Sequence, residues 1–374
     1  MDSIEVSEAS DLGSIPNVAT MTRTKALLSV ISCALFAGML LSGCTDPNAW
    51  KKVDLSKEQV NYKVQRFERD FFAIDTTHMG ESESKLRTKY GEFYDYYIRT
   101  IMNFGRTENR FDTSRLDPHM DIVHFLGNRS DRDLYDTVQK EYPDLADIQG
   151  QLTDMFGHFQ YYFPRKKHIS RVYTFISEFG YGAATYDDST ICIGLDMYLG
   201  ATYRYYRSMD FPEYMIAKLK RPYIVPNVTD VLYNLYFDHM AYDAQLPLID
   251  AIIDEGKKYY FKECMMPDSP DSLIMGYTRT QEEWCRKSEV SIWKYFNEQD
   301  LLYKVNYMEQ KRYITDGPTT AGMPKEAPAK VGAWIGWQIV RKFMKNNSGK
   351  VTLSDLLEKY TAKQIFAMSN YKPK

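Results

Sequence analysis

Residues 248–261 read LIDAIIDEGKKYYF, and they constrain the fold more than any other stretch. Leu248, Ile252 and Tyr259 fall at i, i+4 and i+11, the spacing of a helix with one face in a core. Glu255 lies inside that stripe, three residues after Ile252 and four before Tyr259. A carboxylate aimed at a core is costly unless something pairs with it. One setting that uses Glu-Gly on such a helix is a zinc site, where the Glu is the last of three metal ligands.

That setting needs histidines, and the chain has six: His78, His119, His124, His158, His168 and His239. His119 and His124 are five apart, which puts them about 140° apart around a helix. An H-E-x-x-H motif is absent, so the conventional zinc-peptidase signature is missing. His239 closes a stripe of Val228, Leu232 and Leu235 and is expected to face inward as a core or capping residue, with Asp238 beside it as a turn acceptor. Motifs of the G-x-S-x-G type and phosphate-cradling glycine loops are also missing. Asp187, Asp188 and Asp196 fit no calcium loop and are expected in turns and caps.

The N-terminus sets the compartment. From Met21 the chain reads MTRTKALLSVISCALFAGMLLSGC. Arg23 and Lys25 precede a 16-residue apolar run, Ala26 to Leu41. That run is short of the roughly 20 residues that span a bilayer and fits a signal peptide. It ends in Leu41-Ser42-Gly43-Cys44, which resembles the lipobox of bacterial lipoproteins, with Cys44 as the lipidated first residue of the mature chain. Residues 1–20 are acidic and unlike a signal, so Met21 is the expected start. Outside the cytoplasm, Cys192, Cys264 and Cys285 remain, an odd number, so at least one is a free thiol and no disulfide framework holds the fold.

Charge excludes one class of partner. The whole chain carries −3; the first 44 residues hold −2 of it (Asp2, Glu5, Glu8 and Asp11 against Arg23 and Lys25), which leaves −1 for the rest. A near-neutral mature chain gives no electrostatic case for nucleic acid. The 44% hydrophobic and 26% charged content are those of a folded protein.

Residues 45–60 are polar and are expected to be a tether, followed by a single domain over 61–374. YKVQRFERDFF alternates as an edge strand would. Residues 61–165 are otherwise helical. RVYTFISEF and STICIGLD are expected to form a small antiparallel hairpin over 171–196, with Gly180–Gly182 and Asp187-Asp188-Ser189 as turns. Thr174 then faces outward on an edge open to an extended peptide. Beyond Asp196 the chain is helical again. Gly332 and Gly336, with Trp334 and Trp337, make a G-x-x-x-G helix face suited to close packing. The class is α+β, mostly helical with a small antiparallel sheet.

RPYIVPNV, IIDEGKKYYFKECMMPDSPDSLIMGYT, EVSIWKYFNEQDLLY and GAWIGWQIV, in that order behind a lipoprotein signal, resemble the gliding motility lipoprotein GldB family of Bacteroidota. The resemblance runs from about residue 62 to the C-terminus. It implies an envelope lipoprotein associated with gliding and the linked secretion machinery. More distantly, the hairpin followed by two helices and Asp-Glu-Gly resembles zincin peptidases over 166–374. In such peptidases the Glu ligand follows the second His by roughly 20 residues. Counting back from Glu255 places the motif at Val231 to Leu235, and a plain helical hairpin about 241–245 sets Glu255 opposite residue 231. Val231 and Leu235 then stand where histidines would ligate and Leu232 where the base would stand, with His239 and Glu255 as the remaining members of a vestigial site.

The expectation is therefore a degenerate zincin-like, non-enzymatic binding or scaffolding protein with no metal and no cofactor. Its expected partners are the membrane, through Cys44, and envelope motility or secretion proteins or an extended peptide, on the periplasmic side. The alternatives are an active metal-dependent hydrolase of the envelope and a glycan-binding lipoprotein using the 30 Tyr.

Overall fold

The computed structural model describes residues 53–106, 116–237 and 246–373. Four strands make one sheet: β1 (Lys63–Arg66), β2 (Arg171–Phe175), β3 (Ala183–Asp187) and β4 (Thr190–Gly194). Their order is β1-β2-β4-β3. β1 runs parallel to β2 and β2 parallel to β4, while only β3 and β4 are antiparallel. The sheet is thus mixed, which corrects the expected antiparallel hairpin. The physical reason lies in burial. Val172 to Phe175 and Thr190 to Gly194 are buried without alternation, as in strands covered on both faces, where parallel pairing is usual. Asp187 Oδ1 does accept from the Ser189 amide at 2.7 Å, but the turn it stabilises joins β3 to β4, not β2 to β4.

Helices α1 (Phe67–Phe72), α2 (Met79–Tyr90), α3 (His119–Gly127), α4 (Arg129–Glu141) and α5 (Ala146–Tyr162) build the N-terminal part. Aromatic rings cover one face of the sheet: Phe93 lies 4.5 Å from Tyr173 and Phe67 4.6 Å from Tyr97, at centroid separations typical of stabilising ring pairs. On the other face Val172, Thr174 and Ile193 meet Leu145, Ile148 and Leu152. Thr174 is therefore central and buried, and its hydroxyl donates to the buried carboxylate of Glu68 at 2.6 Å. It does not face outward. β1 and β3, not β2, are the edges. Leu55 and Val60, inside the stretch expected as a tether, pack against Gly157.

Past β2 the backbone turns at Glu178 and Phe179, both in the left-handed region with φ of 50° and 66°. Asp196 holds this turn. It is fully buried, and one carboxylate oxygen accepts from the amides of Ser177 (3.1 Å) and Phe179 (2.7 Å). Burial pushes its carboxyl up to about 7 despite those bonds. Cys192, Cys264 and Cys285 are buried.

The C-terminal part comprises α6 (Ile224–Phe237), α7 (Leu248–Met265), α8 (Arg279–Glu298), α9 (Tyr307–Ile314), α10 (Val331–Asn346), α11 (Leu353–Glu358) and α12 (Ala362–Ser369). Thr278–Gln281, Thr352–Asp355 and Thr361–Gln364 start three of them as capping boxes. The backbones of α7 and α10 touch. A methyl on Gly256 would sit 2.3 Å from the Gly336 carbonyl, and one on Gly336 only 1.7 Å from the Ile252 carbonyl oxygen. Trp334 and Trp337 fill the space beside the crossing, both essentially buried. Ordinary helix pairs stand about 8–10 Å apart; a side chain at either glycine forbids this closer approach.

We expect Gly336→Ala to destabilise the domain by at least about 3 kcal/mol, the upper range of overpacking, because backbone and not a flexible side chain must move. Gly80→Ala, on α2 with nothing within 4 Å, is expected to change stability by less than about 1 kcal/mol. Urea unfolding of the two variants checks this, and equal effects would mean that the crossing is not tight.

Candidate functional site

Where α6, α7 and the start of α10 converge, ionisable side chains fill a crevice. Asp230 on α6 accepts from Lys262 Nζ of α7 at 2.7 Å, and Lys258 Nζ stands 3.6 Å from its other oxygen. Asp316, in the loop before α10, sits between two lysines, with Lys218 and Lys330 each 2.8 Å from one of its oxygens. The Lys330 ammonium also lies over the rings of Tyr259 and Tyr277. Lys330 caps α10 at φ 52°, a left-handed conformation that costs a non-glycine residue about 1 kcal/mol or more. Its side chain is nevertheless buried in the crevice, so contacts there hold the strained backbone.

Burial and charge compete at every member. Burial tends to raise Asp230, but the charges of Lys262 and Lys258 and the Lys262 hydrogen bond hold it below the usual carboxylate range. Asp316 falls to about 2 as Lys330 and Lys218 outweigh its own burial. Burial lowers Lys262 even beside Asp230. Lys258 is raised, since Asp230 and Glu255 outweigh desolvation.

Glu255 behaves differently. It is half-buried, and burial raises its carboxyl above the ordinary range, offset only in part by the charges of Lys258 and Lys330. The charged groups acting on it are the ammoniums of Lys258 and Lys330 and the carboxylates of Asp230 and Asp254. A half-buried carboxyl with a raised pKa, in a crevice with a strained neighbour, is the type of group that marks functional sites.

The other expected site residues fall apart. Leu232 is fully buried, while Val231 and Leu235 are half-buried beside it on α6. The pairing of Glu255 with residue 231 is not found. α6 and α7 meet at Thr229–Met266, Asp230–Lys262 and Tyr233–Phe261, about two helical turns further along α7 than a plain hairpin would give. The two helices do pack antiparallel, but in the register that these contacts set rather than the one a turn about 241–245 would give. His239, Cys44 and the residues Leu41, Ser42 and Gly43 lie outside the described residues. Sequence reasoning missed Asp230, Lys262, Asp316 and Lys330 altogether. The only signal was Asp-Gly-Pro at 316–318 and a lysine ahead of the G-x-x-x-G helix, neither of which points to the other.

Chemically, the crevice sets the ammonium groups of Lys218, Lys258, Lys262 and Lys330 against the carboxylates of Asp230, Asp316, Glu255 and Asp254, a balanced arrangement suited to closing on itself. Among the described residues no cluster of three or more His, Cys, Asp or Glu has metal-site geometry.

Comparison with known proteins adds one finding. A family model described as gliding motility protein GldB matches residues 48–373. Neither the comparison with curated proteins nor that with solved structures finds a match.

Glu255 gives a test with a definite sign. Its folded pKa is raised, so the ionised form costs stability once pH exceeds the unfolded value near 4.5, and the cost is absent below it. We expect Glu255→Gln to raise unfolding free energy at pH 7 and to leave it nearly unchanged at pH 4. Urea unfolding at the two pH values checks this. A variant less stable than wild type at pH 7 would make Glu255 an ordinary ion-pair partner.

Proposed function

The chain belongs to the gliding motility protein GldB family, and on that premise we propose that it is a lipid-anchored envelope protein that binds or scaffolds rather than catalyses. What carries this reading is the state of the crevice. Asp230 is engaged by Lys262 and Lys258, and Asp316 by Lys218 and Lys330. A carboxylate already held between ammonium groups is a poor donor to a metal, because those cations repel a second one. Leu232, which would stand in for a peptidase base, is wholly enclosed and takes no proton. The anchor rests on Cys44: the basic n-region, the apolar run and Leu-Ser-Gly-Cys are the features of a lipoprotein signal. Among the described residues, no helix is long and apolar enough to cross a membrane.

Two outcomes follow. In a gliding host lacking its own copy, Glu255→Gln should restore spreading to the wild-type level, since a binding role does not need the proton of that carboxyl. Loss of a general acid or base costs roughly 10²–10⁴-fold in rate, so failure of a stable, correctly located variant to complement would favour an enzyme. Cys44→Ala should move the protein out of the membrane fraction, because acyl chains supply the attachment. Firm membrane retention of that variant would end the lipid-anchor reading.

A further inference from the structure

We propose that Asp196 is a proton-operated latch: its neutral carboxyl holds the turn 177–181 closed, and with it a small apolar lobe over 199–219, while its ionisation lets both open. The lobe has a core of its own. Tyr206, Ile216 and Leu219 are buried together as a cluster separate from the main core. Phe179, from the turn, packs against that cluster, its ring edge-on to Tyr206 at 5.6 Å and tilted against Tyr203 at 6.0 Å. Phe179 therefore ties the turn to the lobe.

The turn is held in a conformation it would not adopt alone. Glu178 and Phe179 both lie in the left-handed region, which non-glycine residues keep only where their surroundings enforce it. The enforcing bonds converge on Asp196. Its Oδ2 accepts from the amides of Ser177 and Phe179, on either side of Glu178, and the Ser177 hydroxyl stands 3.5 Å from the same oxygen. The backbone carbonyl of Asp196 accepts from the Tyr206 hydroxyl at 2.7 Å, so one residue grips both turn and lobe. Its Oδ1 is wholly enclosed and has no hydrogen-bond partner among the described residues.

That asymmetry suits a neutral carboxyl. One oxygen accepts as a carbonyl would, and the other carries the proton. An unbonded hydroxyl in the interior costs less than half of an unbonded carboxylate charge. Ionisation puts charge on Oδ1, and opening the turn relieves it by admitting water. Burial accordingly pushes the carboxyl up to about 7. Phenols face it: Tyr97 from the helical turn Tyr97–Ile101, and Tyr198, Tyr203 and Tyr206 from the chain that follows, all raised by burial and so uncharged through neutral pH. Asp133 of α4 acts on Tyr203. On the outer side of the turn Glu178 shares a hydrogen bond with Asp131 of α4, and His124 of α3 acts on both. Burial raises these two carboxyls as well, so they are the rival titrating pair.

The direction follows from linkage. The folded value of Asp196 lies above the ordinary 3.8, so the closed turn is most stable below about pH 4 and loosens as pH rises toward about 7, with no further loss beyond. Hydrogen–deuterium exchange of the whole chain in detergent, corrected for intrinsic rates, tests this on 177–181, on 199–219 and, as reference, on α10. Between about pH 5 and 7 the turn and the lobe should lose protection by roughly tenfold or more, within the limit of about tenfold per pH unit for one proton, while α10 holds. Asp196→Asn, neutral at every pH, should abolish the slope in both segments. Glu178→Gln and His124→Gln should keep it. A flat wild-type profile, or a slope shared by α10, would overturn the latch. So would a slope that survives Asp196→Asn or vanishes in Glu178→Gln or His124→Gln, and so would a turn that loosens while 199–219 does not. Should Asp196→Asn fail to fold, the wild-type, Glu178→Gln and His124→Gln profiles still decide.

Discussion

The contact of Gly256 with Gly336 is the constraint on which the C-terminal half depends. A methyl at either position would overlap backbone of the other helix, so α7 and α10 can meet only as they do. Their closeness explains why Asp-Glu-Gly stands in the middle of a buried helix: the glycine serves the crossing, and the adjoining carboxylate is carried to its rim. Lys330, at the first turn of α10, is delivered to the same place from the other helix. The crevice is a consequence of the crossing.

Two polar networks flank this crossing and differ in kind. On one side Glu263, almost fully buried, accepts from Trp337 Nε1 and from Arg341 Nε, both at 2.8 Å, while Arg341 forms a two-pronged bond to Asp271. Arg341 also stacks on Trp337 at 3.8 Å. Matched geometry of this kind offsets the desolvation of buried charge and fixes one arrangement of the helices. On the other side Asp230 keeps an oxygen without a hydrogen bond, and burial forces Glu255 upward in pKa. The first network is what a structural brace looks like. The second retains unspent electrostatics of the sort that function uses.

Local chemistry was readable from the amino-acid order, and long-range pairing was not. The stripe about Glu255 and the G-x-x-x-G face appear where their spacing places them, because each rule involves residues a few positions apart; of YKVQRFERDFF, read as one edge strand, only Lys63–Arg66 is strand, and Phe67–Phe72 turns into a helix that buries three Phe rings against the sheet. The Thr-x-x-Gln and Thr-x-x-Asp capping boxes are equally local signals. Strand order is different: whether β2 pairs with β4 in parallel depends on helices covering both faces, which no period-two pattern encodes. Lys218 and Asp316 are 98 residues apart, and nothing in either neighbourhood predicts the other. Asp196 looked like a turn residue and does hold a turn, yet from the inside of the fold, where burial lifts its carboxyl to about 7. The expected opposition of Glu255 to residue 231 is not found for the same reason, since the register of two helices is set by contacts such as Asp230–Lys262 between residues far apart in sequence.

In this crevice lysines hold Asp230 and Asp316 ionised, while burial leaves Glu255 unusually basic. Carbon-13 detected titration of the Glu255 carboxyl, run with and without equimolar zinc, tests it most directly. The expected midpoint lies above the ordinary glutamate range, and zinc does not move it. A midpoint at or below the ordinary value, or one that drops on adding zinc, would contradict it.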